Sequence, residues 1–190
     1  GAMGCLFAAR MTEAGAEVTL VDVDKARLRD IGANGLQLID EDGARVLHPS
    51  ASLASDFAGP VDLVVLFTKG MHSHAAVSSI SHLSGAAPMA LTLQNGIGNA
   101  EILAEKFGED RVAVGTAMIP ADLEPPNKVI TSKASSIYVG GMTPSAHEAI
   151  QPVADLLNHS GFTVNVTGEV ERAVWEKLAF NASLNALAMI

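Results

Sequence analysis

Lys177, Asn181 and Asn185 recur at every fourth position near the end of the chain. An ammonium can donate a proton or complement a carboxylate, and a carboxamide both donates and accepts hydrogen bonds. If residues 174–187 form a helix, each step of four advances about 6 Å with a drift of about 40°, which aligns the three groups in one shallow stripe. The rest of the stretch is rich in Ala and Leu, contains no Gly or Pro, and has only Glu176 and Ser183 as further polar residues. Such a helix is expected to be buried over much of its circumference. A buried Lys or Asn is costly unless it is paired or meets a ligand. The plainer alternative is an amphipathic helix with a thin solvated edge.

A second group of residues points to a nucleotide. Gly1-Ala2-Met3-Gly4 matches the last two glycines of a G-x-G-x-x-G turn, whose following helix offers its first N–H groups to a pyrophosphate. The strand and first glycine that normally precede them do not appear, so this reading expects a dinucleotide unit short of its first strand. The same residues also match the remnant of an expression tag. Asp22 follows Gly4 by 18 residues, where a carboxylate can accept hydrogen bonds from adenosine ribose hydroxyls and so favour NAD(H). A helix N-cap is its alternative role. A 2′-phosphate there would be repelled unless Lys25, Arg27 or Lys69 outweighed the carboxylate. Lys69 suits a cofactor phosphate or a substrate carboxylate, or is simply an exposed loop lysine. Asn95, in Gln94-Asn95-Gly96, can reach a nicotinamide ribose or a substrate, unless Asn-Gly is there only for the turn. His72 and His74 have no third ligand at metal spacing, so no metal site is expected and both read as surface residues.

The elements that must position these groups alternate. Helical spacing over residues 5–11 ends at Gly15, and a short strand at 17–21 is closed by Asp22. A helix at 24–31 follows, then a hairpin of 36–39 and 44–48 around Glu41-Asp42-Gly43. Residues 61–67 form a near-continuous apolar run suited to a parallel strand covered on both faces. A helix at 73–83, a strand at 89–93, a helix at 99–107 and a strand at 111–117 come next. Strands near 128–132 and 136–139, one helix over 144–159 and a strand at 162–166 complete the series. Pro125-Pro126 reads as a loop, and Thr167-Gly168 as the better domain boundary. Alternation of this kind predicts an α/β, Rossmann-type doubly wound sheet with right-handed crossovers. Thr68-Lys69 and Gln94-Asn95-Gly96 then fall at C-terminal ends of parallel strands, the edge where open α/β sheets bind ligands.

Composition narrows the function classes. The chain is 48% hydrophobic but only 4% aromatic, which suits an Ala/Val/Leu-built α/β protein better than a β-sandwich. A net charge of −9 without a Lys/Arg run argues against a nucleic-acid partner. The single Cys5 cannot form an internal disulfide, which fits a reducing compartment, and no apolar run is long enough to span a bilayer. No secretory pattern opens the chain, so a cytoplasmic location is expected, with no membrane partner.

Four motifs carry a resemblance, in this order: Gly-Ala-Met-Gly, Val-Asp-Leu-Val-Val-Leu-Phe-Thr-Lys, Leu-Gln-Asn-Gly-Ile-Gly-Asn and Trp-Glu-Lys-Leu-Ala-Phe-Asn-Ala-Ser-Leu-Asn-Ala-Leu. Together they resemble the ketopantoate reductase (2-dehydropantoate 2-reductase) family, over essentially the whole chain. The resemblance implies a Rossmann domain over residues 1–167 and the first helix of an all-helical substrate domain over 168–190. It implies NADPH-dependent reduction of ketopantoate to pantoate, on the route to pantothenate and coenzyme A. On this basis Lys177 is the catalytic proton donor, and Asn181 and Asn185 are substrate-binding amides. Asn95 lies near nicotinamide and substrate, and Lys69 serves the NADP phosphate. Two departures stand out. NADP-using members commonly carry a basic residue at the end of the second strand, where this chain has Asp22-Val23-Asp24, so NAD(H) competes with NADP(H) as the expected cofactor. The family's helical domain also supplies a serine and a glutamate to the substrate, and the sequence ends at Ile190 before reaching them; the polypeptide alone is therefore expected to be inactive. A reductase of another small 2-keto acid and a non-catalytic nicotinamide-binding regulator are the alternatives, and a homodimer is left open.

Overall fold

The computed structural model describes the backbone of residues 1–187 and the side chains as far as Leu184. The chain opens as helix α1 (Ala2–Glu13), crosses to strand β1 (Thr19–Val21) and returns as α2 (Lys25–Asn34). A hairpin of β2 (Leu36–Asp40) and β3 (Gly43–Leu47) leads to the short β4 (Ser50–Ser52). The central run is β5 (Leu63–Leu66), α3 (Ser73–Ser79), β6 (Met89–Thr92), α4 (Asn99–Phe107) and β7 (Val112–Met118). A second hairpin, β8 (Ala121–Glu124) with β9 (Lys128–Thr131), precedes β10 (Ser136–Gly141), α5 (Pro144–Glu148) and α6 (Gln151–His159). Strand β11 (Val164–Val166) and helix α7 (Val170–Leu187) follow.

The principal sheet has the order β11-β10-β7-β6-β5. Strands β5, β6 and β7 are mutually parallel, as expected from their apolar runs and helical crossovers, whereas β10 runs antiparallel to β7 and makes the sheet mixed. Strand β1 pairs in parallel with β4, and a further sheet has the order β3-β2-β9-β8. Among the described residues, β1 and β5 each keep one edge without a strand partner.

Helix α1 is enclosed rather than amphipathic. The seven consecutive residues from Cys5 to Met11 are all buried, so the expected single apolar face at 3, 6, 7 and 11 is too narrow a description. Ala8 and Ala9 let neighbouring backbones approach, and β1 and the β3-β2-β9-β8 sheet pack around the helix. Phe7 stacks on Phe162 at 4.3 Å between ring centroids and meets Phe67 at 4.6 Å, tying α1 to the starts and ends of two strands. Arg10 is buried in this core. It donates to the carbonyls of Ser132 at 3.0 Å and Gly161 at 3.3 Å, and its guanidinium lies over the Phe162 ring.

Three further differences from the sequence expectation have local causes. The single helix over 144–159 is two, α5 and α6, because Pro152 at the start of α6 has no N–H to continue the ladder and crowds the preceding turn. Strands β4 and β8 were not foreseen: each is three or four residues long, too short for a clear alternation, and each gains its order from a partner strand. Helix α7 is covered on one side only. Val170 is buried, and residues 173, 174, 177, 178 and 181 are half-buried against β7 and β10. Trp175 and Phe180 are each 56% exposed and Leu184 is 50% exposed, which corrects the expectation of burial around most of the helix. Apolar composition showed that the helix could be buried, not which of its faces has a partner.

Candidate active site

The C-terminal ends of β5, β6 and β7 lie along one edge, because the three strands run parallel in adjacent positions. Thr68-Lys69-Gly70 follows β5, and Leu93-Gln94-Asn95-Gly96 follows β6. Gly96 (φ 93°) and Gly98 (φ 90°) adopt the left-handed conformation that only glycine takes freely, and this turns the chain into α4. Asn95 is left exposed on the turn, and Lys69 is exposed on the neighbouring loop.

A buried relay beneath these loops holds them together. Thr92 Oγ1 donates to Gln94 Oε1 at 2.9 Å, and Gln94 Nε2 donates to the Thr68 carbonyl at 2.5 Å and to Ser73 Oγ at 3.0 Å. Ser73 Oγ in turn donates to Asn99 Oδ1 at 3.0 Å. Since a carbonyl can only accept, the Gln94 amide nitrogen must face Thr68, which orients the whole relay. The sequence reading singled out Asn95 and passed over Gln94, Ser73 and Asn99. The available signal was Thr92-x-Gln94, two polar residues at the end of an apolar strand, followed by an asparagine opening a helix.

Lys177 is placed at the same edge. Its half-buried ammonium donates to the Ala117 carbonyl at 2.5 Å, one residue before the end of β7. Burial pushes the Lys177 pKa below that of an ordinary lysine. Asn181 lies one turn further on and is half-buried, whereas the Asn185 side chain is outside the described residues.

The end of β1 supplies the acidic group. Asp22 Oδ1 accepts the Asp24 N–H at 3.0 Å, and Oδ2 accepts Arg27 Nη1 at 3.0 Å. Burial raises the Asp22 pKa, but these donors, together with the nearby N-terminal ammonium, outweigh it and hold the carboxyl below its usual range. The two roles read from the sequence separate here, since Asp24 is the residue that caps α2, accepting from Ala26 and Arg27 N–H. The nitrogen of Gly1 lies 4.0 Å from Asp22 Oδ2, so the glycine turn and the carboxylate are neighbours. Helix α1 begins at Ala2 with no side-chain cap and no acidic residue in its first turn. The N–H groups of Ala2, Met3 and Gly4 are therefore suited to an anion. A Cβ at Gly4 would stand 3.7 Å from Phe67 Cβ, an ordinary contact.

Another concavity, about 820 Å³, lies between the turn 96–101, residues 141–147 and the first turns of α7 as far as Trp175. It includes none of Lys177, Asn181, Asp22, Lys69 or Asn95. Trp175 and Lys177 are two positions apart on a helix and so point to nearly opposite sides. His72 and His74 are exposed, and among the described residues no three His, Cys, Asp or Glu side chains could hold a metal ion. No described helix is long and apolar enough to cross a membrane.

A mixed α/β fold with uncapped amides, a carboxylate and a half-buried lysine at parallel strand ends is a Rossmann-type arrangement. Residues 1–144 match the family model of ketopantoate reductase PanE/ApbA, and the chain belongs to that family. Its relatives include the 2-dehydropantoate 2-reductase of Halobacterium salinarum, 31% identical over 187 residues that make up 98% of this chain and 61% of that enzyme. The structure of 2-dehydropantoate 2-reductase from Geobacter metallireducens superposes with a TM-score of 0.86 at 30% identity, covering 95% of this chain and 60% of that one. D-mandelate dehydrogenase in ternary complex with NADH and anilino(oxo)acetate superposes with a TM-score of 0.87 at 27% identity, over 93% of this chain and 57% of that one. The chain thus spans about three fifths of the length of the relatives it matches.

Proposed function

We propose that this chain is the dinucleotide-binding part of a reductase that converts ketopantoate to pantoate, a step toward pantothenate, in the cytoplasm. The observation that carries this reading is the Lys177 ammonium, half-buried on the end of β7 beside the strand whose loop bears Asn95. Reduction of a 2-keto acid requires a proton donor at the developing alkoxide and a complement for a carboxylate. Lys177 provides the proton, and partial burial brings its acidity closer to what neutral pH requires. Asn95 and Asn181, with Asn185 one turn beyond, orient the acid. The first N–H groups of α1, from Gly1 to Gly4, take the pyrophosphate, Asp22 takes the ribose hydroxyls, and Lys69 takes a phosphate. A nicotinamide dinucleotide bound there supplies the hydride. Asp22 favours NADH in this arrangement, and residues 1–167 form the dinucleotide unit while α7, within 168–190, belongs to the substrate side.

A second reading, reduction of a different small 2-keto acid, is supported by the similarity to D-mandelate dehydrogenase. Fluorescence titration of the chain with NADH and NADPH, with assays of their oxidation by the full-length protein on ketopantoate and a panel of 2-keto acids, distinguishes the readings. Oxidation with ketopantoate supports the first, and oxidation only with another acid supports the second. Dinucleotide binding with no turnover on any acid would leave a regulator, and absence of binding would overturn the proposal.

A further inference from the structure

Lys69 and Asn95, to which the function proposed above gives a cofactor phosphate and the keto acid, are exposed on loops rich in glycine, and neither side chain makes a hydrogen bond among the described residues. Their places are set by the loop backbones. The paired strands beneath them end at Leu66 and Thr92. Beyond that point Gln94 is the side chain that bonds from one loop to the other, donating from Nε2 to the Thr68 carbonyl at 2.5 Å. That carbonyl belongs to the planar peptide group joining Thr68 to Lys69, so holding it fixes the plane from which Lys69 departs. The next peptide group along the other loop joins Gln94 to Asn95. One carboxamide thus stands a single residue from each of the two groups. Its orientation is fixed in turn: Thr92 Oγ1 donates to Oε1 at 2.9 Å, and Nε2 also donates to Ser73 Oγ at 3.0 Å. Ser73 gives its own proton to Asn99 Oδ1 at 3.0 Å. Thr92 is 2% exposed, Ser73 0% and Asn99 7%, so water does not compete for these bonds. Ser73 opens α3 and Asn99 opens α4, and the relay therefore reaches the helix that each loop enters.

We propose that Gln94 is a positioning residue for hydride transfer: by tying the Thr68-Lys69 peptide to the turn that carries Asn95, its amide sets the separation between the held cofactor and the keto acid. The inference rests on the reductase reading given above and adds to it a residue that touches neither ligand. Hydride transfer requires the reacting carbons within about 3–3.5 Å, and a displacement of about 1 Å costs up to about 10²-fold in rate. The two groups respond differently when the tie is cut. A lysine on its flexible four-carbon stem follows a phosphate that shifts by an ångström, whereas the short carboxamide of Asn95 moves with its backbone. Loss of the Gln94 amide therefore falls on turnover more than on dinucleotide affinity.

The test is steady-state kinetics and dinucleotide titration of the full-length protein, with Gln94→Met, Thr92→Val, Asn95→Ala and the double variants that combine each of the first two with Asn95→Ala. Gln94→Met keeps the length of the side chain and removes its hydrogen bonds; kcat should fall by about tenfold or more while the Kd for NADH or NADPH changes by less than about threefold. Thr92→Val keeps its shape, removes the donor that orients the amide, and should lower kcat by about threefold or more. In the Asn95→Ala background both losses should shrink to within about twofold, because Gln94 and Thr92 act through Asn95. Losses that simply multiply with that of Asn95→Ala would mark a general structural role and overturn the inference. Parallel weakening of kcat and dinucleotide affinity would do the same. If Gln94→Met fails to fold, Thr92→Val decides alone, and an unchanged kcat there refutes the positioning role. Wild-type protein that oxidises neither dinucleotide with any 2-keto acid would remove the reductase reading and this inference together. Normal turnover in wild type and in both relay variants would remove the inference alone.

Discussion

Replacing Gln94 by Glu preserves the size of the side chain and removes its donor end. The Gln94 amide makes two donations, to the Thr68 carbonyl at 2.5 Å and to Ser73 Oγ at 3.0 Å, and receives one hydrogen bond from Thr92. A carboxylate keeps the last but sets an oxygen against the Thr68 carbonyl, and Ser73 can satisfy it only by abandoning Asn99. Two lost bonds at about 1 kcal/mol each, plus about 1 kcal/mol or more for facing acceptors, give a loss of about 3 kcal/mol. For a chain of this size that corresponds to a fall in Tm of about 6–12 °C. Gln94→Leu, which removes the group without adding a charge, should cost less than Gln94→Glu. The order wild type, Leu, Glu is the signature of an oriented relay rather than of packing alone. The destabilised Glu should also have a raised pKa in the folded state. The folded protein then holds more protons than the unfolded one, so the deficit of this variant shrinks as the pH falls below its folded pKa. Thermal denaturation followed by circular dichroism between pH 4 and 8 measures both effects. A Glu variant that melts within about 2 °C of wild type at neutral pH would refute the donor assignment.

Three other outcomes are expected. In the full-length protein assayed with ketopantoate, Lys177→Met should lower kcat by about 10²-fold or more with little change in dinucleotide affinity, and the variant should be at least as stable near neutral pH, since a half-buried ammonium is exchanged for an apolar chain of similar length. Near-normal turnover would remove Lys177 from the mechanism. Asp22→Ala should weaken NADH more than NADPH in direct titration, and equal effects would confine Asp22 to holding the strand end. The Arg45 hydrogen bonds hold Asp40, whose side chain is 2% exposed, at a pKa of about 2 against an ordinary 3.8. This stabilisation, about 2 kcal/mol, is complete above the unfolded value and disappears as the pH falls through the folded one. Chemical denaturation from pH 5 to pH 2 should show that decline in wild type and a flatter profile in Asp40→Asn.

Much of the architecture is a matter of local pattern and could be read from the chain itself. Residues 99–107 were expected as a helix and form α4 with those bounds, because left-handed glycines flank an apolar face with Leu103 and Phe107 turned inward. The buried run of β5 and the Gly43 turn of the β2–β3 hairpin were legible for the same reason: period and turn chemistry act over a few residues. The motif order also indicated the family that the match over residues 1–144 establishes.

Tertiary structure decided which of these elements face one another. Lys177 meets Ala117 across 60 positions of sequence, and Arg10 reaches Ser132 across 122, contacts that no local periodicity encodes. From the sequence Asp22 could be either a ribose ligand or the cap of α2, and the folded backbone gave the cap to Asp24 and Arg27 to Asp22. Likewise, the outward face of α7, with Trp175 and Phe180 uncovered, depends on what packs beside the helix and not on its own composition. Residue type and spacing set what each segment can form. The partner each side chain acquires depends on long-range chain closure, and so the pairing of charge with charge at the site is known only from the folded chain.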